Sequence, residues 1–170
     1  MPRRTDSTPG APQRTPPPTD TATQVLRQFR QVFNAVKTHF QQVEKQVGLG
    51  GAQVWALSIV RDQPGVAIGA LARTMAIHQS TASNLVRGLV DRGLVTAAKE
   101  SDDRRAVHLR LRPEGARILR HAPGPFAGRL PDALNALDEE TLVRLHEDLA
   151  ALIDVLGADP RGASVLLAGL

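Results

Sequence analysis

Residues 70–115 run ALARTMAIHQSTASNLVRGLVDRGLVTAAKESDDRRAVHLRLRPEG, and two hydrophobic periods meet inside them. Ile68, Leu71, Ala72 and Met75 fall at i, i+3, i+4 and i+7, one face of a helix. A second helix is expected from about Gln79 to Arg92. At 100° per residue its Ala82, Leu85, Val86 and Leu89 share one side, and Ser80, Ser83, Asn84, Arg87 and Asp91 share the other. Gly93 suits a left-handed cap, with Leu94 as the hydrophobic follower. The period then drops to two. Leu94–Ala98 reads as a strand, and Val107, Leu109 and Leu111 alternate with His108, Arg110 and Arg112 in another. A charged turn, Lys99–Ala106, joins them.

Helix, turn, helix and charged hairpin together make a winged helix-turn-helix, in which the second helix enters the major groove of DNA. Leu71, Ala72, Met75, Ala82, Val86 and Leu89 are expected to clamp the two helices. Gln79, Ser80, Thr81, Ser83, Asn84 and Arg87 are the residues expected to meet DNA from the second. Asn pairs bidentately with adenine and Arg with guanine, while Ser and Thr near a helix start suit phosphate. His78, just before that helix, suits capping or a backbone contact. A solvated amphipathic face is the alternative, but such faces usually mix Glu and Lys, and here Asp91 is the single acid. In the wing, Asp103, Arg104 and Arg105 complete the expected DNA-binding set. An Asp two residues before an Arg fixes the direction of its guanidinium, which then suits the minor groove.

Outward from this core, Val25, Leu26, Phe29, Val32, Phe33, Val36, Phe40, Val43 and Val47 predict a long first helix from Thr23, ending at Gly48-Leu49-Gly50-Gly51. A shorter helix follows over Ala52–Arg61. Pro113 starts a helix that reaches about His121, Pro123-Gly124-Pro125 must interrupt it, and a further segment resumes near Phe126. Asp138 caps the last helix, along which Leu142, Leu145, Leu149, Leu152 and Leu156 repeat at three, four, three, four, a heptad seam. Residues 1–20 hold six of the twelve prolines and are expected to be a disordered Pro-rich tail. Residues 157–170 form a Gly/Ala/Leu-rich tail whose Val165-Leu166-Leu167 is apolar enough to pack back. The fold class is mainly α with a small β hairpin.

Composition sets the limits. The 170-residue chain has no cysteine, which excludes disulfides, Cys-ligated zinc and thiol chemistry. Aromatics are only 3%, so the core must be aliphatic. No apolar run suits a membrane span and no signal-peptide h-region opens the chain, so the expected location is cytoplasmic. Net charge is +4, but residues 71–120 carry ten Lys/Arg against five Asp/Glu, whereas residues 129–156 carry two against seven. A basic middle suits a polyanion. Dinucleotide, P-loop, nucleophile-elbow and HExxH motifs are all missing, so neither an enzyme nor a cofactor is expected, and the catalytic set is empty. The five histidines show no metal spacing, and no metal site is expected.

The stretch 70–115 resembles the winged-helix core of the MarR family of bacterial transcriptional regulators. The likeness lies in the polar-Ser-Thr-x-Ser run, the Arg92-Gly93-Leu94-Val95 step, Asp103-Arg104-Arg105 and Pro113-Glu114-Gly115. It implies dimerisation helices over 21–50 and 113–156 flanking a DNA-binding lobe over 52–112, a single domain spanning 21–156. It implies a homodimeric repressor of its own or a neighbouring operon, bound to a palindromic operator in double-stranded DNA. It also implies release by a small aromatic or phenolic acid, for which His39, Trp55, Arg61 and Arg117 are the expected ligand-binding residues, in a pocket among the first, second and fifth helices. Three features depart from the pattern. The absence of cysteine removes thiol sensing. Arg112 replaces the Thr that often caps the helix at Pro113, and Pro123-Gly124-Pro125 breaks what is usually one long helix. That break motivates the alternative of a winged-helix ligand-binding or protein-interaction module without operator reading.

Overall fold

A computed structural model describes residues 19–99, 107–165 and 167. The wing residues Asp103, Arg104 and Arg105, the Pro-rich residues 1–18 and Leu166 lie outside the described residues.

Helix α1 spans Asp20–Val47, beginning three residues before the expected start at Thr23. Thr19 supplies the reason, because its hydroxyl oxygen accepts from the Ala22 N–H at 3.2 Å and caps the helix there. Its far end is Gly48, at φ +67°, whose N–H returns to the Glu44 carbonyl. Helix α2 spans Gly51–Asp62, α3 Ile68–Thr74 and α4 Gln79–Asp91. Strands β2 (Val95–Lys99) and β3 (Val107–Leu111) pair antiparallel, in the register Val95↔Leu111 to Lys99↔Val107. A third strand, β1 (Val66–Ala67), pairs with the other edge of β3. The hairpin is therefore a three-stranded sheet of order β1-β3-β2. Two residues have no period to detect, and β1 exists only because β3 arrives beside it.

Helix α5 spans Pro113–His121 and stops before the Pro-Gly-Pro run. Arg112 stands at its N-cap and offers no side-chain hydrogen bond, as the missing Thr would have. Helix α6 begins at Arg129 rather than near Phe126, and runs to Asn135. Helix α7 spans Glu139–Leu156. Asp138 caps it, accepting from the Thr141 N–H and hydroxyl, both at 2.9 Å. A 3-10 turn, Pro160–Ser164, follows. Among the described residues no helix is long and apolar enough to cross a membrane.

The core is aliphatic, as the composition requires. Ala56, Leu57, Leu71, Ala82, Leu89 and Leu109 are wholly buried, joining α2, α3, α4 and β3 in one cluster. Gly93, at φ +68°, closes α4 with the expected cap: the Leu94 N–H reaches the Leu89 carbonyl at 2.9 Å and the Leu94 side chain is buried. Gly115 explains why α5 lies so close to the lobe. A Cβ there would run into the Leu94 carbonyl oxygen and the Leu111 side chain.

Much of the apolar surface outside the lobe stays uncovered within one chain. On α1, Val25, Leu26, Val32 and Phe33 are exposed, Phe33 by 51%. On α7, Leu142, Leu145 and Leu149 are half-buried while Leu152, Ile153 and Leu156 face outward.

Two predictions follow from this packing. Gly115→Ala should cost about 2–3 kcal/mol in urea unfolding, because a backbone carbonyl cannot step aside. Gly162→Ala, with open space at its Cβ, should change stability by less than about 0.5 kcal/mol. Separately, hydrogen bonds from the Thr141 N–H and hydroxyl hold the Asp138 carboxyl below its usual value. A depressed folded value means the cap stabilises above the unfolded value, and that stabilisation fades as pH falls through the folded one. Asp138→Asn should therefore flatten the loss of stability below about pH 4.

Candidate nucleic-acid interface

The α3–α4 pair is a rigid unit built from its buried side. Leu71, Ala72 and Met75 meet Ala82, Val86 and Leu89, all six buried as expected. The turn between the helices is equally fixed. The Met75 N–H bonds the Leu71 carbonyl, and the Ile77 N–H bonds that of Ala72, both at 3.0 Å. Ala76 sits at φ +53°, a conformation that costs a non-glycine residue roughly 1–2 kcal/mol. Ile77 and Met75, buried on either side of Ala76, hold it there. His78 is the N-cap of α4 but makes no side-chain cap bond.

The opposite side of α4 is what this clamp displays. Gln79, Ser80, Asn84, Arg87 and Asp91 are all exposed. Thr81 lies at the edge of the face and is half-buried. Ser83 is half-buried too, and its hydroxyl donates to the Gln79 carbonyl at 2.8 Å. The structure thus brings Gln79, Ser80, Asn84 and Arg87 onto one solvent-facing surface, with Ser83 between them and its proton already committed. Among the described residues, no hydrogen bond or ion pair engages the Asn84 amide or the Arg87 guanidinium. Both are available to an external partner. Arg92, one residue past the helix, is different: its guanidinium donates to the Gly48 carbonyl at 2.9 Å and ties the end of α4 to the α1–α2 turn. Helical spacing gives no hint of that bond, which joins residues 44 positions apart.

The four residues expected around a ligand do not converge. Trp55 alone lines the main cavity, a space of about 490 Å³ whose walls include Val36, Phe40, Met75, Ala76, Ile77, Leu130 and Leu134. His39 is buried on α1, where its Nε2–H donates to the Pro125 carbonyl at 2.9 Å. Arg61 pairs with Asp62 at 2.7 Å and lies over the Phe126 ring, 5.5 Å from its centroid. The hydrogen bond from Arg61 holds the Asp62 carboxyl below its usual value. Arg117 pairs with Glu114 on α5, and that bond lowers the Glu114 carboxyl in the same way. The cavity lies toward α6 and the C-terminal segment rather than toward α5. Among the described residues, no group of three or more His, Asp or Glu is placed to hold a metal ion.

Residues 47–106 match the model of the MarR family. Over that segment the chain is similar to the MarR family, and the curated relatives it matches are HTH-type transcriptional regulators. It is 40% identical over 55 residues to the HTH-type transcriptional regulator Hpr of Exiguobacterium sibiricum, a match covering 32% of this chain and 29% of that protein. It therefore spans under a third of that relative's length. The MarR fold continues beyond the matched segment. A MepR-like protein crystallised with pseudoligands superposes with a TM-score of 0.56, at 22% identity, over 79% of this chain and 97% of that one. BpsR of Bordetella bronchiseptica, whose DNA binding is regulated by 6-hydroxynicotinic acid, superposes with a TM-score of 0.52, at 25% identity, over 82% and 96%.

If the exposed face of α4 carries no structural duty, stability will divide sharply between its two sides. Val86→Ala should cost about 2 kcal/mol, whereas Asn84→Ala and Arg87→Ala should each stay within about 0.5 kcal/mol of the parent in urea unfolding. A loss above 1 kcal/mol at Asn84 would mean that the face is part of the fold.

Proposed function

We propose that the chain is a homodimeric, operator-specific DNA-binding repressor of its own or a neighbouring operon. The observation that carries this reading is the exposed α4 face, where Asn84 and Arg87 have no internal partner among the described residues, on a helix whose other side is locked in the core. Residues 52–112 serve as the reading lobe. Gln79, Ser80, Thr81 and Ser83 supply backbone and edge contacts, Asn84 and Arg87 pair with bases, and Asp103, Arg104 and Arg105 form the wing contact with the flanking minor groove.

Dimerisation through residues 21–50 and 113–156 is supported by the apolar faces that one chain leaves open on α1 and α7. A two-fold axis then requires a palindromic operator with half-sites about 34–36 Å apart. The effector of this reading is a small aromatic or phenolic acid. Its site is the cavity beside the Met75–Ile77 turn, where an occupant touches the connector between the two helices of the reading head. Of the four residues first expected there, Trp55 is kept.

Fluorescence anisotropy on DNA upstream of the chain's own gene, against scrambled duplex across a salt series, tests the reading. Selectivity of about a thousandfold or more with a steep salt slope is expected. Asn84→Ala and Arg87→Ala should each weaken the specific site by about ten- to a hundredfold and scrambled DNA little. Equal losses on both duplexes would remove the base-reading role. Tight binding of a metabolite or protein with no selectivity among duplexes selected from random sequence would favour the interaction module instead. Phe33→Glu should shift the sedimentation coefficient from dimer to monomer.

A further inference from the structure

The C-terminal segment reaches the cavity by a defined route. Gly157, at φ +58°, turns the chain off the end of α7. Asp159 then pins the next turn, accepting from the Arg161 N–H at 2.9 Å and pairing with its guanidinium at 2.6 Å. Beyond it, Ala163, Val165 and Leu167 lie on the cavity wall, across from Val36, Phe40 and Trp55. Two further facts describe how the segment is held. Among the described residues, every hydrogen bond made by residues 157–167 is to a group within five positions in the chain, so none ties the segment to the body of the protein. Val165 is also 67% exposed and Leu167 39% exposed, so both sit over the opening rather than in the core.

We infer that residues 160–165 together with Leu167 are a strap that closes this cavity and must leave when an apolar molecule enters. Partial burial of two aliphatic side chains opposes the conformational entropy of ordering the segment, and these are forces of similar size. With no hydrogen bond to the body of the protein among the described residues, the strap exchanges directly with any ring that covers the same walls. The ligand class is a flat, one- or two-ring carboxylate. Its ring would replace Val165 and Leu167 against Trp55, and its anion would lie at Arg129, the one charged residue on the wall among the described residues. The inference rests on the cavity being the effector site and not on the DNA reading, and its test uses no DNA.

Trp55 is the single tryptophan of the chain and half-buried on the cavity wall, so its fluorescence reports on the opening. The full chain would be compared with a chain ending at Gly157 and with the double variant Val165→Asp/Leu167→Asp. The readouts are acrylamide quenching of Trp55 and the Kd of 2-naphthoate by calorimetry. If the strap is closed about nine-tenths of the time, removing it tightens naphthoate by about tenfold. Quenching should rise alongside. Should the truncated chain fail to fold, the double variant with an unchanged melting curve carries the test. Unchanged or weaker naphthoate binding in that variant would overturn the strap, as would unchanged quenching. Absence of binding by all three forms would overturn it too and leave the DNA reading standing.

Discussion

Leu71 and Ala72 of α3 and Ala82, Val86 and Leu89 of α4 are all buried where the two helices meet. A chain with one tryptophan, four phenylalanines and no tyrosine has few large side chains to fill errors, so close fit between small ones must supply the rigidity. The two halves of α4 follow from it. Every position that faces α3 is spent on packing, and the positions left over are free to be polar, short and unpaired. The same clamp forces the turn between the helices, which is why Ala76 tolerates a left-handed backbone.

A second joint holds the lobe to the long helix. The Phe40 ring lies between the Cα atoms of Gly51 and Gly128, and a Cβ on either glycine would collide with it. Around this slot are three hydrogen bonds from side chain to backbone. His39 donates to Pro125, Gln46 to His121 and Arg92 to Gly48. Together they fasten α1 to the end of α5, the Pro-Gly-Pro segment and the end of α4. The cavity opens next to this joint and is bounded by it, so its shape is set by the same ring that aligns the two parts of the molecule.

How much of this was legible in the sequence follows from the range of each interaction. The α4 face, the Gly93 cap and the Asp138 cap are local patterns, and spacing alone located them. The start of α1 was placed three residues late because the apolar stripe begins after the cap that initiates the helix. Strand β1 and the position of α6 were missed, since both are fixed by partners distant in the chain. The ligand residues show the limit most clearly. His39 lies on the edge of an apolar stripe, and its partner is a carbonyl 86 positions away. Arg61 and Arg117 carry the right charge for an acid, but each has a carboxylate within three residues that takes it first. No spacing rule reveals that Leu130, Leu134 and Val165 would meet Trp55 across one cavity.

The third strand changes the mechanics of the wing. A lone hairpin would swivel about the Gly93 cap. Here β3 is paired along both edges near its middle. The Gly65 N–H donates to the Leu109 carbonyl, and the Gly65 carbonyl in turn engages His108 Nδ1 at 2.7 Å. The described part of the hairpin is therefore held along both edges of β3 rather than along one. Because β1 ends at Ala67 and α3 begins at Ile68, a load on β3 has a direct covalent route through β1 into the first turn of that helix.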